Sequence, residues 1–181
     1  MNKEDLIDLI ADLYEELEIS EFGFDLEKTI RKLDINLIPY SSYENNELLV
    51  HYDEDGFTWI NPRNNKVEIF FNDRIRPKER IKFTLPHELG HICLGHNLTT
   101  EVETYREKSE ADIFAREFYC PQAFMIYYKL KTTSDLVSAF KISYSYANIL
   151  LIKIEKRKDE ALTKAERRLI KIFETNKRKS K

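Results

Sequence analysis

The chain has 181 residues, of which 42% are apolar and 12% aromatic, so it can bury the core of one folded domain. With this apolar content, a charged fraction of 34% does not indicate a disordered chain. No apolar run is long enough for a transmembrane helix. The first residues lack the apolar stretch of a secretory signal, and two cysteines cannot form a disulfide framework, so we expect a cytoplasmic protein with reduced thiols.

The N-terminal part of the chain combines two helical patterns with several short strand patterns. Apolar residues recur at helical spacing over residues 4–17, and a second short helix is predicted at 25–33. Four segments have the composition of strands: 35–39, 48–52, 57–60 and 66–71. Turn signals at 53–56 and 61–65 predict hairpin connections. We therefore predict a sheet of about four strands between residues 35 and 72.

The hydrophobic period changes to 3.6 residues after Pro77, which predicts helices for the rest of the chain. The first of them carries an apolar stripe: Ile81, Leu85, Leu89 and Ile92. Gly95 is a plausible helix stop, and a loop is predicted over 97–105. A second helix is predicted from Glu107 to Cys120, ending before Pro121.

The C-terminal part is predicted to be helical over residues 123–175, with breaks near 132–134 and 158. We expect this part to pack as a subdomain on a core formed by residues 1–122, and residues 176–181 to form a basic tail.

The charge is unevenly distributed, because residues 1–30 carry ten acids against two lysines, while residues 153–181 carry twelve Lys and Arg against five acids. This asymmetry allows a tail that faces a partner, or simply a solvated basic helix with a frayed end.

Three of the four histidines lie within ten residues, in a segment predicted to be helical. The residues His87-Glu88-Leu89-Gly90-His91 form an HExxH motif, whose four-residue step puts both imidazoles on one face of a helix, where both can reach one metal ion. Glu88 projects beside them and can take a proton from water without being a ligand. Imidazole suits Zn²⁺, and a catalytic zinc needs a third protein ligand.

The residues themselves leave this third ligand open among the carboxylates of the next predicted helix. Glu110 heads a face that it shares with Phe114 and Phe118, and a carboxylate on an apolar face is costly unless it is paired or bound to a metal. The competing candidates are Glu107, Asp112 and Glu117.

Two stretches resemble motifs of the ImmA/IrrE family of zinc metallopeptidases. They are residues 83–96, FTLPHELGHICLGH, and residues 110–121, EADIFAREFYCP, and the resemblance extends over roughly 35–155. It implies an α+β, zincin-like fold, in which a small β-sheet is flanked by the HExxH active-site helix and further helices, with a helical C-terminal part. It also implies that His87, His91 and Glu110 bind Zn²⁺ and that Glu88 is the general base.

Two departures from the family pattern lie close to this motif. Asp112 stands where the family usually has Asn, and we predict that it orients a metal-bound histidine without itself binding the metal. Pro86 stands where Ala is usual, so the helix either begins near Pro86 or is distorted there. His96 lies about 140° around the helix from His91 and is predicted to be exposed or to cap the helix rather than to bind metal.

The resemblance further implies that the substrate is a helix-turn-helix transcriptional repressor of a phage, a mobile element or a stress regulon, whose cleavage relieves repression. We expect this protein substrate to lie extended along an exposed strand edge, and we expect no nucleic-acid or membrane partner. The alternative is a non-catalytic, metal-containing module that binds DNA or protein through the basic tail and residues 134–151. Glu88 distinguishes the peptidase from the binding module, because a hydrolase needs a carboxylate beside its histidines and a binding module does not.

Overall fold

The computed structural model of the chain describes residues 1–96, 98, 104–157 and 160–180. The helices are α1 (Lys3–Glu16), α2 (Leu26–Arg31), α3 (Asn46–Tyr52), α4 (Ile81–Cys93), α5 (Tyr105–Tyr119), α6 (Gln122–Tyr127), α7 (Thr133–Phe140), α8 (Tyr144–Glu155) and α9 (Lys164–Lys179). The strands are β1 (Asn36–Pro39), β2 (Gly56–Ile60) and β3 (Val67–Phe71). The predicted α+β class, with a small sheet and mostly helices, is confirmed. Across the described ranges, no helix has both the length and the apolar character needed to cross a bilayer.

The chain divides into two compact units whose boundaries differ from the predicted one at residue 122. One unit combines Met1–Phe24 with Glu117–Lys181, and the other is Asp25–Arg116. The reason for the difference is α1, whose apolar face packs against α9, so that the N-terminal helix belongs with the C-terminal helices. An amphipathic helix must bury its apolar face, and the nearest partner in sequence need not be the one that covers it.

The uneven charge of the chain is partly neutralised inside the first unit. Arg168 on the basic helix α9 donates to Asp8 on the acidic helix α1 at 3.2 Å, and its other nitrogen reaches Asp12. The predicted tail at 176–181 is corrected, because α9 continues to Lys179 and Asn176 is buried, donating from Nδ2 to the carbonyl of Tyr14 at 2.8 Å. Residue 181 lies outside the described residues.

The C-terminal helices have one break that was predicted and one that was not. Thr132 caps α7 through its side chain, which agrees with the break predicted near 132–134. A further break separates α7 from α8, because Lys141 adopts a left-handed φ of 54° and Ser143 caps the next helix. The break predicted near 158 lies outside the described residues.

The first unit also contains a buried ion pair. Arg157 Nη1 lies 2.7 Å from Glu166 Oε1 and Arg157 Nη2 lies 3.0 Å from Glu166 Oε2, with side chains only 8% and 1% exposed. Burial alone would raise the pKa of Glu166, but the hydrogen bonds from Arg157 and from the Thr163 N–H hold that pKa below its usual value.

We expect Glu166→Gln to lower the free energy of unfolding by about 3 kcal/mol, because it removes the buried carboxylate that pairs with Arg157 and leaves the exposed Glu160, 3.6 Å from Arg157 Nε, to face that charge. The wild-type protein is expected to lose stability as the pH falls below about 4.3, the pKa of an unfolded Glu, since a carboxylate with a lowered folded pKa stabilises the fold only while it is ionised. Urea unfolding of both proteins at neutral and acid pH measures this. The control is Glu160→Gln, which removes the exposed carboxylate near the same arginine; the Glu160 side chain is 67% exposed, so its loss should cost little. Equal stability of the two variants would contradict the prediction.

The sheet of the second unit has the order β1-β3-β2, with β1 parallel and β2 antiparallel to β3. The turn predicted at 61–65 is confirmed as the hairpin between β2 and β3, where the Asn61 N–H donates to the Lys66 carbonyl at 2.9 Å. The described residues therefore contain three strands in this region rather than the predicted four.

The strand predicted at residues 48–52 is wrong, because these residues lie in α3. None of the residues of α3 is buried, and Leu48 and Tyr52 are 68% and 61% exposed. The turn predicted at 53–56 is consequently not a hairpin. Asp53 Oδ1 accepts hydrogen bonds from the N–H groups of Asp55 and Gly56, which turns the chain from α3 into β2.

One face of the sheet positions α4. A Cβ added to Gly56 would lie 2.7 Å from the Phe70 carbonyl oxygen and 2.9 Å from Thr84 Cγ2, so only glycine allows this approach of β2 to α4. On the opposite face Phe57 stacks on Phe70, with ring centroids 4.9 Å apart, and the neighbouring Trp59 is 41% exposed. Alternation along β2 therefore directs residues 56 and 58 to the helix and residues 57 and 59 away from it.

The sequence predicted that α4 either begins near Pro86 or is distorted there, and the structure shows that the helix begins before this proline. The helix starts at Ile81, after a 3-10 turn at Lys78–Arg80, and Pro86 lies within it, where it cannot donate the usual backbone hydrogen bond. The helix ends at Cys93, close to the predicted stop. Most of the loop predicted at 97–105 lies outside the described residues, and α5 begins at Tyr105.

Candidate metal centre

Two imidazoles from successive turns of α4 face each other. The Nε2 atoms of His87 and His91 are 3.1 Å apart, and His91 is 9% exposed. Two nitrogens that each lie about 2.05 Å from one tetrahedral Zn²⁺ would be about 3.3 Å apart. The observed spacing is therefore close to that of two ligands of a single ion.

The second nitrogen of each ring has its own neighbour. His87 Nδ1 lies 2.9 Å from Asp112 Oδ1, which is an ion-pair distance without the alignment of a hydrogen bond. His91 Nδ1 lies 3.1 Å from His96 Nδ1, and His96 Nε2 lies 3.3 Å from Glu110 Oε2. Of the two positions predicted for His96, exposed or capping the helix, the first is wrong, since its side chain is only 7% exposed.

The contact with Glu110 favours one tautomer of His96. An ionised carboxylate only accepts hydrogen bonds, so the His96 Nε2 that faces Glu110 carries the proton. His96 then donates from Nε2 and accepts at Nδ1 from His91 Nδ1–H. On the other side of the His91 ring, its Nε2 atom faces Nε2 of His87 over 3.1 Å.

The electrostatics of His91 favour its neutral form. Burial, followed by the neighbouring imidazoles of His87 and His96, lowers the pKa of His91 to about 4. At neutral pH this ring is therefore neutral, which is the form of histidine that binds metals. Two neighbouring imidazoles of this kind are donors that suit a divalent cation.

Glu88 is buried on the same helix, with 8% of its surface exposed. Its Oε2 accepts a hydrogen bond of 2.8 Å from the hydroxyl of Thr58 on β2. The contact joins residues 30 positions apart in the chain, so no local sequence signal could have singled out Thr58.

Glu110 lies on α5, which approaches α4 closely because a Cβ added to Gly90 would lie 3.0 Å from the Phe114 ring. One carboxylate oxygen contacts His96, and the other accepts from Arg106 Nε at 3.3 Å. The structure does not bring Glu110 together with both imidazoles, since within the described ranges no three His, Cys, Asp or Glu side chains are arranged to hold a metal ion.

Two other carboxylates considered as third ligands, Glu107 and Glu117, have hydrogen-bond partners of their own. Glu107 accepts from the Thr104 N–H at 3.0 Å and from its hydroxyl at 2.6 Å, at the beginning of α5. Glu117 belongs to the other compact unit, where it is 1% exposed and accepts from the Gln122 N–H at 3.1 Å.

Comparison with known proteins identifies one family. Residues 30–151, about two thirds of the chain, match the family model described as the IrrE N-terminal-like domain, peptidase family M78. No curated protein and no solved structure matches the chain. The matched range contains the sheet, α4 and α5, and with them every residue of the candidate centre.

Proposed function

Because the chain belongs to the peptidase family of IrrE N-terminal-like domains, we propose that it is a zinc-dependent endopeptidase whose substrate is a helix-turn-helix transcriptional repressor. The observation that supports the zinc is the distance of 3.1 Å between the Nε2 atoms of His87 and His91, which is close to the spacing of two ligands of one ion. Family membership supports peptidase activity. The choice of a repressor rests on the resemblance of residues 83–96 and 110–121 to ImmA/IrrE motifs.

In this proposal His87 and His91 would hold the ion, and Asp112 would orient His87 through its Nδ1 atom. Glu110, which contacts His96, would complete the ligand set. A bound Zn²⁺ supplies a Lewis acid that polarises the scissile carbonyl and makes water more acidic.

Glu88 acts as the general base. It accepts a proton from the attacking water and passes it to the leaving amine, a role that needs a carboxylate held in one orientation. The hydroxyl of Thr58 provides that orientation by donating to Oε2.

The substrate backbone pairs with β2. This strand lies at one edge of the sheet, and an extended peptide added to that edge would lie beside Thr58 and therefore near Glu88. Backbone pairing holds a peptide largely irrespective of its sequence, so the side chains exposed around β2 would set the preference for a particular site.

The proposal is tested by metal analysis together with a cleavage assay. The purified protein is expected to contain stoichiometric zinc and to cut the helix-turn-helix repressor encoded beside its gene. Treatment with a chelator should stop cleavage, and added Zn²⁺ should restore it. Zinc binding without cleavage of any repressor would favour the non-catalytic metal module, and absence of zinc would contradict the proposal altogether.

A further inference from the structure

The end of α4 turns His96 back onto His91. The Gly95 N–H donates to the Ile92 carbonyl at 3.2 Å and the His96 N–H to the His91 carbonyl at 3.0 Å, while Gly95 has a left-handed φ of 66°. This pair of hydrogen bonds is a Schellman motif. In this motif the residue after the glycine is frequently apolar, and its side chain packs against the residue whose carbonyl accepts its N–H. Here an imidazole occupies that place and contacts the His91 ring instead.

His96 reaches His91 on the side away from the other histidine. His91 faces His87 with Nε2 and faces His96 with Nδ1, and these two nitrogens point to different sides of the ring. An ion held between the Nε2 atoms is therefore out of reach of His96. The second nitrogen of His96 lies against Glu110, the carboxylate proposed as the third ligand.

We propose that His96 is a positioning residue of the metal centre, which holds both His91 and Glu110. As an acceptor at Nδ1 it keeps the proton of His91 on Nδ1, so that Nε2 of His91 stays available to a metal. As a donor at Nε2 it holds one oxygen of the Glu110 carboxylate beside the end of α4, while Arg106 holds the other. This inference rests on the proposed zinc site but not on the identity of the substrate.

The test compares His96→Leu, His96→Asn and His96→Gln with the wild-type protein. Leucine suits the position after the glycine of a Schellman motif, so the helix end is expected to survive while both polar contacts are lost. Asparagine places an amide near Nδ1 and can still accept from His91, whereas glutamine places an amide near Nε2 and can still donate to Glu110. His51→Leu is the matched control, because this histidine is exposed on α3.

The measurements are zinc affinity, by competition with a chelator of known affinity, and the visible absorption spectrum of the Co²⁺-loaded protein. We expect His96→Leu to weaken zinc binding about 10- to 100-fold and to change the Co²⁺ spectrum, as does the loss of other residues that hydrogen-bond to a metal ligand. Asparagine and glutamine should each restore part of the affinity, and His51→Leu should match the wild type.

Two results would overturn the inference while leaving the proposed peptidase intact. One is a His96→Leu protein with wild-type zinc affinity and an unchanged Co²⁺ spectrum. The other is equal loss of affinity in all three variants, together with an equally lowered unfolding midpoint of the metal-free proteins, which would mean that His96 only supports the fold. A wild-type protein that binds no zinc would remove the proposed function and this inference together.

Discussion

Glu88→Gln is expected to lower the peptidase rate about 10²- to 10⁴-fold while zinc stays bound, because the amide cannot accept the proton of the attacking water. Glutamine has the shape of glutamate, and its oxygen can still accept from the Thr58 hydroxyl that now donates to Glu88. The buried side chain therefore keeps its position, and the fold should be unaffected. The rate of repressor cleavage and the zinc content of the same preparation measure the two parts of this expectation.

The matched control is Glu79→Gln, which removes an exposed carboxylate from the 3-10 turn before α4 and should leave the rate unchanged. Normal cleavage by Glu88→Gln would show that another group accepts the proton. Loss of both zinc and activity would show instead that Glu88 supports the metal site rather than the proton transfer.

Loss of zinc is the expected result of replacing either α4 histidine by alanine. His87 and His91 are the two donors already in place. Each substitution should therefore weaken zinc binding by more than the roughly 10- to 100-fold expected when a residue that hydrogen-bonds to a ligand is lost. Glu110→Ala is expected to weaken zinc as well, since only two imidazoles would then remain. Metal analysis after dialysis against a weak chelator distinguishes these variants from the wild type.

His51→Ala serves as the control for this series, because it removes an exposed imidazole from α3. Stoichiometric zinc in Glu110→Ala would mean that a different group completes the ligand set. Retention of zinc by both histidine variants would show that the ion, if any, lies elsewhere in the protein.

The parts of the site that sequence could predict are those set by local spacing. The four-residue step between His87 and His91 fixes their common face once the segment is helical, and the structure places their Nε2 atoms 3.1 Å apart. The hairpin at 61–65 was similarly predictable, because turn residues separate two segments with strand composition. Asp112, predicted to orient a histidine, lies 2.9 Å from His87 Nδ1, and its role stays a prediction.

The parts that could not be predicted depend on contacts between distant segments or on how a helix ends. Residues 48–52 form a short apolar run, for which periodicity cannot distinguish strand from helix, and the structure makes it a helix with exposed side chains. His96 was assigned by continuing the helical angle beyond His91, but Gly95 ends the helix and reverses that direction. The contact between Arg168 and Asp8 links residues 160 positions apart, so the opposite charges of the chain ends did not reveal that they meet.

The exposed Trp59 on β2 gives the protein an intrinsic optical reporter. It is the sole tryptophan of the 181-residue sequence, and it directly follows Thr58, whose hydroxyl is hydrogen-bonded to Glu88. Its indole is 41% exposed at an edge strand, so a chain that covered this edge would change its solvation. Emission from this single fluorophore can therefore be followed in the unlabelled protein, which offers a way to watch occupancy of the strand separately from bond cleavage.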